Sequence, residues 1–296
     1  MSEDAAVRTD TRDGVRTITL ARPDAYNTIT MPMARELGEA IDEADSDRDV
    51  RVIMLRAEGP AFCAGYGLDW ATPAQASERQ GGRIWDSAAD MQMMNRFVDV
   101  YQKLWYASKP TLAAVQGWCI CGGTDLVLWA DLIVAADDAV FGYPTSRVWG
   151  VPTTPMWIHR IGFQQAKRYL LTGDEIPAAK AAEIGLVLEV VPTADLDDHA
   201  FALAARMAKL PLNQLQMIKL MLNEAAENMG VRSTRTLGVL FDGVARHTQE
   251  GMDFVARAGE VGFREAVFER DAPFDDYGSG PRSRRRAVAG SEADGR

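Results

Sequence analysis

Cysteine and histidine are scarce in this chain, three of each in 296 residues, and that scarcity closes several routes at once. An odd set of cysteines, Cys63, Cys119 and Cys121, argues against a disulfide framework. Cys119 and Cys121 stand one residue apart with no nearby His or Cys to complete a tetrahedral site, so they read as buried thiols and no metal is predicted. His159, His199 and His247 fall in predicted helices without triad partners at an informative spacing, and none is assigned a role. No apolar run approaches the roughly eighteen residues that a membrane-spanning helix needs. The opening MSEDAAVRTD is polar and lacks the apolar stretch of a secretory signal. Positive charge is short too, with 32 basic against 42 acidic residues and a net charge of −10. Nucleic acid calls for a clustered basic face, and the one basic run, Arg282 to Arg286, lies in a Gly/Ser-rich tail. The expectation is a cytoplasmic protein that binds neither nucleic acid nor membrane.

What the chain does have is a hydrophobic content of 47%, enough for a sizeable core. Val15 to Leu20 alternates as a half-buried strand, and Arg22-Pro23-Asp24 breaks it. Thr30 can cap a helix that carries Met33, Leu37, Ala40, Ile41 and Ala44 at helical spacing. Val50 to Arg56 reads as the next strand, Asp90 to Ser108 as a helix stopped by Lys109-Pro110, and Thr111 to Gln116 as a strand buried on both faces. Gly122-Gly123 opens a helix through Ala130, and Leu132 to Ala135 and Leu188 to Val191 read as strands. Helices are expected over about 163–171, 177–184, 195–209, 213–229 and 234–270. Strands alternating with helices, followed by a helical last third, indicate an α/β layer structure. The boundaries read as a disordered 1–10, a core over 11–194, a helical region over 195–277 and a flexible tail over 278–296.

Two segments carry glycines where a strand ends: Phe62-Cys63-Ala64-Gly65-Tyr66-Gly67-Leu68-Asp69, and Gln116-Gly117 through Cys121-Gly122-Gly123-Thr124-Asp125. Either alone reads as an ordinary turn. Their order and context say more. Pro110 to Gly117, Cys121 to Leu126, Ala130 to Ala135, Phe141-Gly142-Tyr143-Pro144, Leu171-Thr172-Gly173 and Ala181 to Val187 form an ordered block. Arg22 to Asn27 and Phe263 to Phe274 flank it. Over residues 15–274 the chain resembles the crotonase (enoyl-CoA hydratase/isomerase) superfamily.

The resemblance implies an α/β crotonase fold of the ClpP/crotonase-like type, a ββα spiral core with a helical C-terminal region. It also implies an acyl-CoA thioester as substrate, no further cofactor, and assembly as a homotrimer or a dimer of trimers through residues 195–277. In such enzymes two peptide N–H groups hold the thioester oxygen, and they match Tyr66 and Gly122. Chemistry alpha or beta to the carbonyl pushes negative charge onto that oxygen, and fixed donors stabilise it. Asp125 falls where hydratases carry the first of two catalytic glutamates. On residue type alone it would be a helix-start Asp favoured by the dipole; the resemblance makes it an acid/base group.

Thr145 stands where the second glutamate is expected, and a hydroxyl has neither charge nor basicity near neutral pH. The reading is therefore an acyl-CoA-transforming enzyme of the hydratase/isomerase type, with a double-bond isomerase, an acyl-CoA hydrolase or a non-catalytic acyl-CoA-binding relative as alternatives. Arg22, Ala64 and Phe274 are the positions that the resemblance offers for the CoA moiety. Asp24 occupies a slot that often holds lysine, and Asp275 and Asp276 follow Phe274 in place of basic residues. Arg147 is a candidate substrate or network residue, Trp85, Trp118 and Trp149 candidate pocket walls, and Asp69, Asp86 and Asp90 read as solvated acids near the acyl pocket.

Overall fold

Strict alternation along four central strands builds the centre of the fold. In the computed structural model, which describes residues 5–67 and 85–277, β3 (Val52–Ala57), β4 (Thr111–Val115) and β6 (Leu132–Ala136) run parallel, with β2 (Val15–Leu20) beside β3. Ile18, Ile53, Leu55, Ala113, Val115, Ile133 and Ala135 enter one core cluster. Val15, Val52, Met54, Leu112, Ala114, Val134 and Ala136 enter a second on the opposite face. A period of two sends successive side chains to opposite faces, and a strand buried on both must be apolar throughout. β1 (Val7–Arg12) and β9 (Glu189–Val191) complete a six-stranded sheet in the order β1-β2-β3-β4-β6-β9. A smaller sheet joins β5 (Trp118–Ile120), β7 (Val140–Gly142) and β8 (Ile176–Pro177).

The first sheet face is covered by α1 (Met31–Ser46) and α2 (Ser87–Tyr106), through Leu37, Ile41, Phe97, Tyr101 and Leu104. Thr30 does cap α1, its Oγ1 accepting the Met33 N–H. After α3 (Gly122–Val127), α4 (Met156–Leu170) and α5 (Ala178–Glu183), α6 (Leu196–Met207) lays Leu196, Ala200 and Ala204 on the opposite sheet face. A helix that the sequence groups with the C-terminal region is therefore part of the sheet's own covering.

Three sequence expectations change. Residues 7–10 are strand rather than disorder, because Val7–Arg12 pairs antiparallel with β2 from Val7 opposite Leu20 to Arg12 opposite Val15. The connecting Asp13-Gly14 has φ of 52° and 76°, the left-handed pair that a two-residue hairpin prefers. The helix expected over 234–270 is three: α8 (Val231–Arg246), α9 (Gln249–Val261) and α10 (Phe263–Asp271). Thr248 caps α9 through the Gly251 N–H, and Gly262, at φ 86°, turns the chain before α10. The helix that Gly122 opens stops at Val127 rather than Ala130. The tail over 278–296 and Asp69 lie outside the described residues. Among the described residues no helix is long and apolar enough to cross a membrane.

Candidate active site

The two glycine-bearing segments leave β3 and β4 side by side and interlock. Phe62 N–H donates to the Gln116 carbonyl at 2.8 Å, Cys63 N–H to Trp118 at 2.9 Å, and Ile120 N–H to Cys63 at 3.1 Å. Glycine is needed for this approach: a Cβ on Gly117 would stand 1.9 Å from the Pro60 oxygen, and one on Gly123 2.3 Å from the Cys63 oxygen. The interlock brings Gly65-Tyr66 against Gly122. A Cβ on Gly65 would lie 3.7 Å from the Gly122 nitrogen, and the Tyr66 ring comes within 3.0 Å of where a Gly122 Cβ would be. Among the described residues no protein acceptor takes the N–H of Tyr66 or of Gly122. Gly122 is the first residue of α3, so its N–H points out of a helix start.

Asp125 follows one turn later and is fully buried. Its Oδ1 accepts the Thr153 N–H at 3.1 Å, and its Oδ2 faces the Tyr143 hydroxyl at 3.4 Å. That hydroxyl also donates to the Val151 carbonyl at 3.0 Å. Burial, and then the charge of Asp242, push the Asp125 carboxyl up to about 8, against the hydrogen bonds from Thr153 and Tyr143. Burial likewise raises the phenols of Tyr66, Tyr101 and Tyr143 and takes the Cys121 thiol to about 11 and Cys63 to about 12. The cysteines are neutral thiols at physiological pH, as small buried side chains would be. The Tyr66 and Tyr101 hydroxyls lie near each other without a well-formed hydrogen bond among the described residues.

Thr145 sits in the 3-10 turn Pro144–Arg147, its carbonyl accepting the N–H groups of Val148, Trp149 and Gly150. Its hydroxyl is buried beside the Cys121 thiol, again without a well-formed hydrogen bond. Tyr66, Gly122, Asp125 and Thr145 thus gather around one short segment, Cys121–Asp125.

The positions offered for CoA are spread more widely. Arg22 donates to the Thr28 carbonyl at 2.6 Å, and its N–H goes to Asn27 Oδ1. Ala64 N–H donates to the Tyr26 carbonyl at 3.0 Å, so Arg22 and Ala64 share one loop junction. Phe274 is elsewhere, stacked at 3.8 Å on the Arg147 guanidinium. Arg147 itself is a buried clamp, pairing with Asp271 at 2.9 Å and Asp276 at 2.6 Å. Of the tryptophans, Trp85 stacks on His247, Trp118 packs near Tyr277, and Trp149 joins Phe254 in a C-terminal cluster. The acids divide likewise: Asp86 caps α2, and Asp90 is ion-paired with Arg246 rather than solvated.

Sequence reasoning missed Tyr143, Thr153 and Asp242, all of which bear on Asp125. Tyr143 and Thr153 act from turns whose path no local pattern encodes. Asp242 had a signal: an acid set among Val239, Leu240 and Phe241, four residues before Arg246.

Comparison with known proteins agrees with this architecture. The enoyl-CoA hydratase/isomerase family model matches residues 10–264. An enoyl-CoA hydratase from Mycobacterium smegmatis superposes with a TM-score of 0.87 at 44% identity, covering 93% of this chain and 96% of that one. An enoyl-CoA hydratase/isomerase from Xanthobacter autotrophicus Py2 gives a TM-score of 0.82 at 29% identity, covering 90% and 97%. A hydroxycinnamoyl-CoA hydratase-lyase from Pseudomonas fluorescens is 30% identical over 207 residues, 68% of this chain and 72% of its own. With the family model matched over 10–264 and a solved relative superposing along 93% of the chain, the chain belongs to the enoyl-CoA hydratase/isomerase family.

Proposed function

We propose that this family member forms an enolate from an enoyl-CoA thioester and moves a proton on it with a single acid/base group, Asp125. The observation that carries this is the buried Asp125 carboxyl one turn along α3 from Gly122, which packs against the Gly65-Tyr66 segment. In this reading the N–H groups of Tyr66 and Gly122 receive the thioester oxygen. Negative charge develops there when a carbon-bound proton leaves, and losing one such donor costs on the order of 10²–10³ in rate. Asp125, with its proton affinity centred near pH 8, can both take and return a proton near neutral pH. One group suffices for moving a double bond, since the proton removed at one carbon is returned at another.

Hydration is the second reading. Thr145 favours it in one respect, because a buried hydroxyl lacking a well-formed hydrogen bond can hold a water against the beta carbon. It cannot deprotonate that water, so hydration is the slower reaction. Arg22 and Ala64, at one loop junction, are the proposed CoA contacts, and Phe274 the more distant one. The enzyme is proposed to act in the cytoplasm as a trimer or pair of trimers.

The test is incubation with a 3-enoyl-CoA and with crotonyl-CoA while following absorbance of the conjugated thioester. Conjugation of the 3-enoyl-CoA faster than loss of crotonyl-CoA is the expected result. Tight acyl-CoA binding with no turnover of either thioester would refute the enzymatic reading.

A further inference from the structure

A second buried carboxylate bears on Asp125, and it comes from the C-terminal helices. α8 packs so closely on the loop after Thr145 that a Cβ on Gly238 would stand 2.5 Å from the Pro152 oxygen. One turn further along, Asp242 is 7% exposed and accepts the Val151 N–H. The Val151 carbonyl accepts the Tyr143 hydroxyl at 3.0 Å, which reaches Asp125 Oδ2 at 3.4 Å, while Thr153 N–H holds Asp125 Oδ1 at 3.1 Å. Two carboxylates therefore grip the ends of one three-residue segment, Val151–Thr153.

Asp242 is itself held. Arg246 Nε donates to it at 3.1 Å, and the same guanidinium takes both Asp90 oxygens, at 2.8 and 3.0 Å. Gly243 lets Asp90 in, since a Cβ there would lie 2.3 Å from Asp90 Oδ2. Burial raises the Asp242 carboxyl and the Arg246 guanidinium holds it down; with both carboxylates ionised, one cation between them leaves the triad a net negative charge. Among the described residues, the other titratable groups that face Asp125 are Tyr66 on the first loop, Tyr101 on α2, Tyr143 after β7 and the Cys121 thiol before α3. Burial keeps all four neutral, so among the described residues the charge acting on Asp125 is that of the triad.

We propose that Asp242 is a positioning residue of the reaction: through Val151–Thr153 and Tyr143 it aims the Asp125 carboxyl and sets a second carboxylate behind it. The proposal rests on the reading of Asp125 as the acid/base group. It gives the C-terminal helical region a part in the chemistry. A purely structural triad, tying α8 to α2, would make different demands. Removing it would cost stability and scale activity down equally at every pH.

The decisive measurement is the titration of Asp125, read directly by the infrared carboxyl difference between the protein and its Asp125→Asn variant. The pH profile of kcat/KM with a 3-enoyl-CoA is the second readout. Asp242→Asn keeps an acceptor for Val151 N–H but removes the charge. Both midpoints are expected to fall by about one unit, the size of effect that a nearby like charge exerts. Asp90→Asn leaves Asp242 on Val151 and neutralises the triad, so it should lower the midpoint by less; it also serves if Asp242→Asn does not fold. An unmoved midpoint in either folded variant overturns the proposal. If instead Asp125→Asn retains full turnover, the reading of Asp125 fails, and the midpoint shift in Asp242→Asn still decides whether the two carboxylates are coupled.

Discussion

The Tyr143 hydroxyl stands between two acceptors, 3.0 Å from the Val151 carbonyl and 3.4 Å from Asp125 Oδ2. A phenol has one proton to donate. Given to the nearer Val151 oxygen, it leaves the phenolic lone pairs toward Asp125, an arrangement that suits a protonated carboxyl. Given to Asp125, it suits the carboxylate. Tyr143 can therefore follow the charge of Asp125 by rotating one O–H bond, which lets a buried group change protonation without reorganising its surroundings.

Asp125→Asn is expected to lower turnover by roughly 10²–10⁴ while acyl-CoA still binds. In the unmodified protein kcat/KM should rise with pH and level off above about 8, because the base must be ionised to accept a proton. The same carboxyl bears on stability. Its folded value is raised above the ordinary 3.8, so between about 4 and 8 the folded state holds a proton that the unfolded state has lost. Its contribution is therefore present at low pH and lost as pH rises through that window. The Asn variant lacks this loss, so its melting temperature should gain on that of the unmodified protein from pH 5 to pH 9. Melting curves at both pH values check it, and a difference independent of pH would contradict it.

Arg147→Met should destabilise the protein by about 3 kcal/mol or more, the usual cost of leaving buried partners of a broken ion pair uncompensated. The Arg147 side chain is 4% exposed, against 1% for Asp271 and 9% for Asp276. Arg270 continues to pair with Asp271 at 2.6 Å, so part of the cluster survives the change. Denaturant unfolding measures it, and a change under about 1 kcal/mol would show that the clamp is dispensable.

The contrast between Arg147 and Asp125 shows what the sequence could reveal. The apolar run Thr111 to Gln116 marks a strand buried on both faces, and Val50 to Arg56 marks the strand beside it, because these are local rules of composition and period. Asp13-Gly14 is equally local, a hairpin turn by steric rules. The partners of Arg147, Asp271 and Asp276, lie more than 120 residues away, and those of Asp125 arrive from turns at Tyr143 and Thr153. Such meetings depend on how helices and loops close over the sheet, which no periodicity records. Asp242 belongs to the same class: its neighbours in sequence hint at burial, but nothing local says which carboxyl it approaches.

Assembly through the C-terminal helices should be measurable. α7 (Leu212–Glu227) exposes Leu220 at 70%, Met221 at 64% and Leu222 at 60%, and α8 exposes Leu237 and Phe241 at about half. Apolar patches of this kind on a lone chain mark interfaces, and identical chains close them by symmetry. Light scattering at micromolar concentration is expected to give a trimer or a multiple of three. Leu220→Glu with Met221→Glu should shift the population towards smaller species. A monomeric unmodified protein would exclude the trimer.

Hydration of crotonyl-CoA is expected to be slow, well below the typical turnover of about 10 s⁻¹, and Thr145→Glu should raise it. Adding water requires one group to deprotonate the water and another to protonate the alpha carbon. Asp125, at about 8, is mostly protonated at neutral pH and suited to the second task. A glutamate at position 145 would sit beside the Cys121 thiol, where Thr145 Oγ1 now lacks a well-formed hydrogen bond. Two nearby carboxyls push their proton affinities apart, so the new one can remain ionised as the base while Asp125 keeps its proton. Room is the obstacle: Thr145 packs so closely on Gly150 that a Cβ there would lie 2.5 Å from Thr145 Oγ1, so the longer side chain must find space beyond this contact. Hydration kinetics of both forms at saturating crotonyl-CoA, with circular dichroism to verify folding, make the comparison. If the unmodified enzyme already hydrates crotonyl-CoA at tens of turnovers per second, Thr145 is no handicap, and the water is activated by another base.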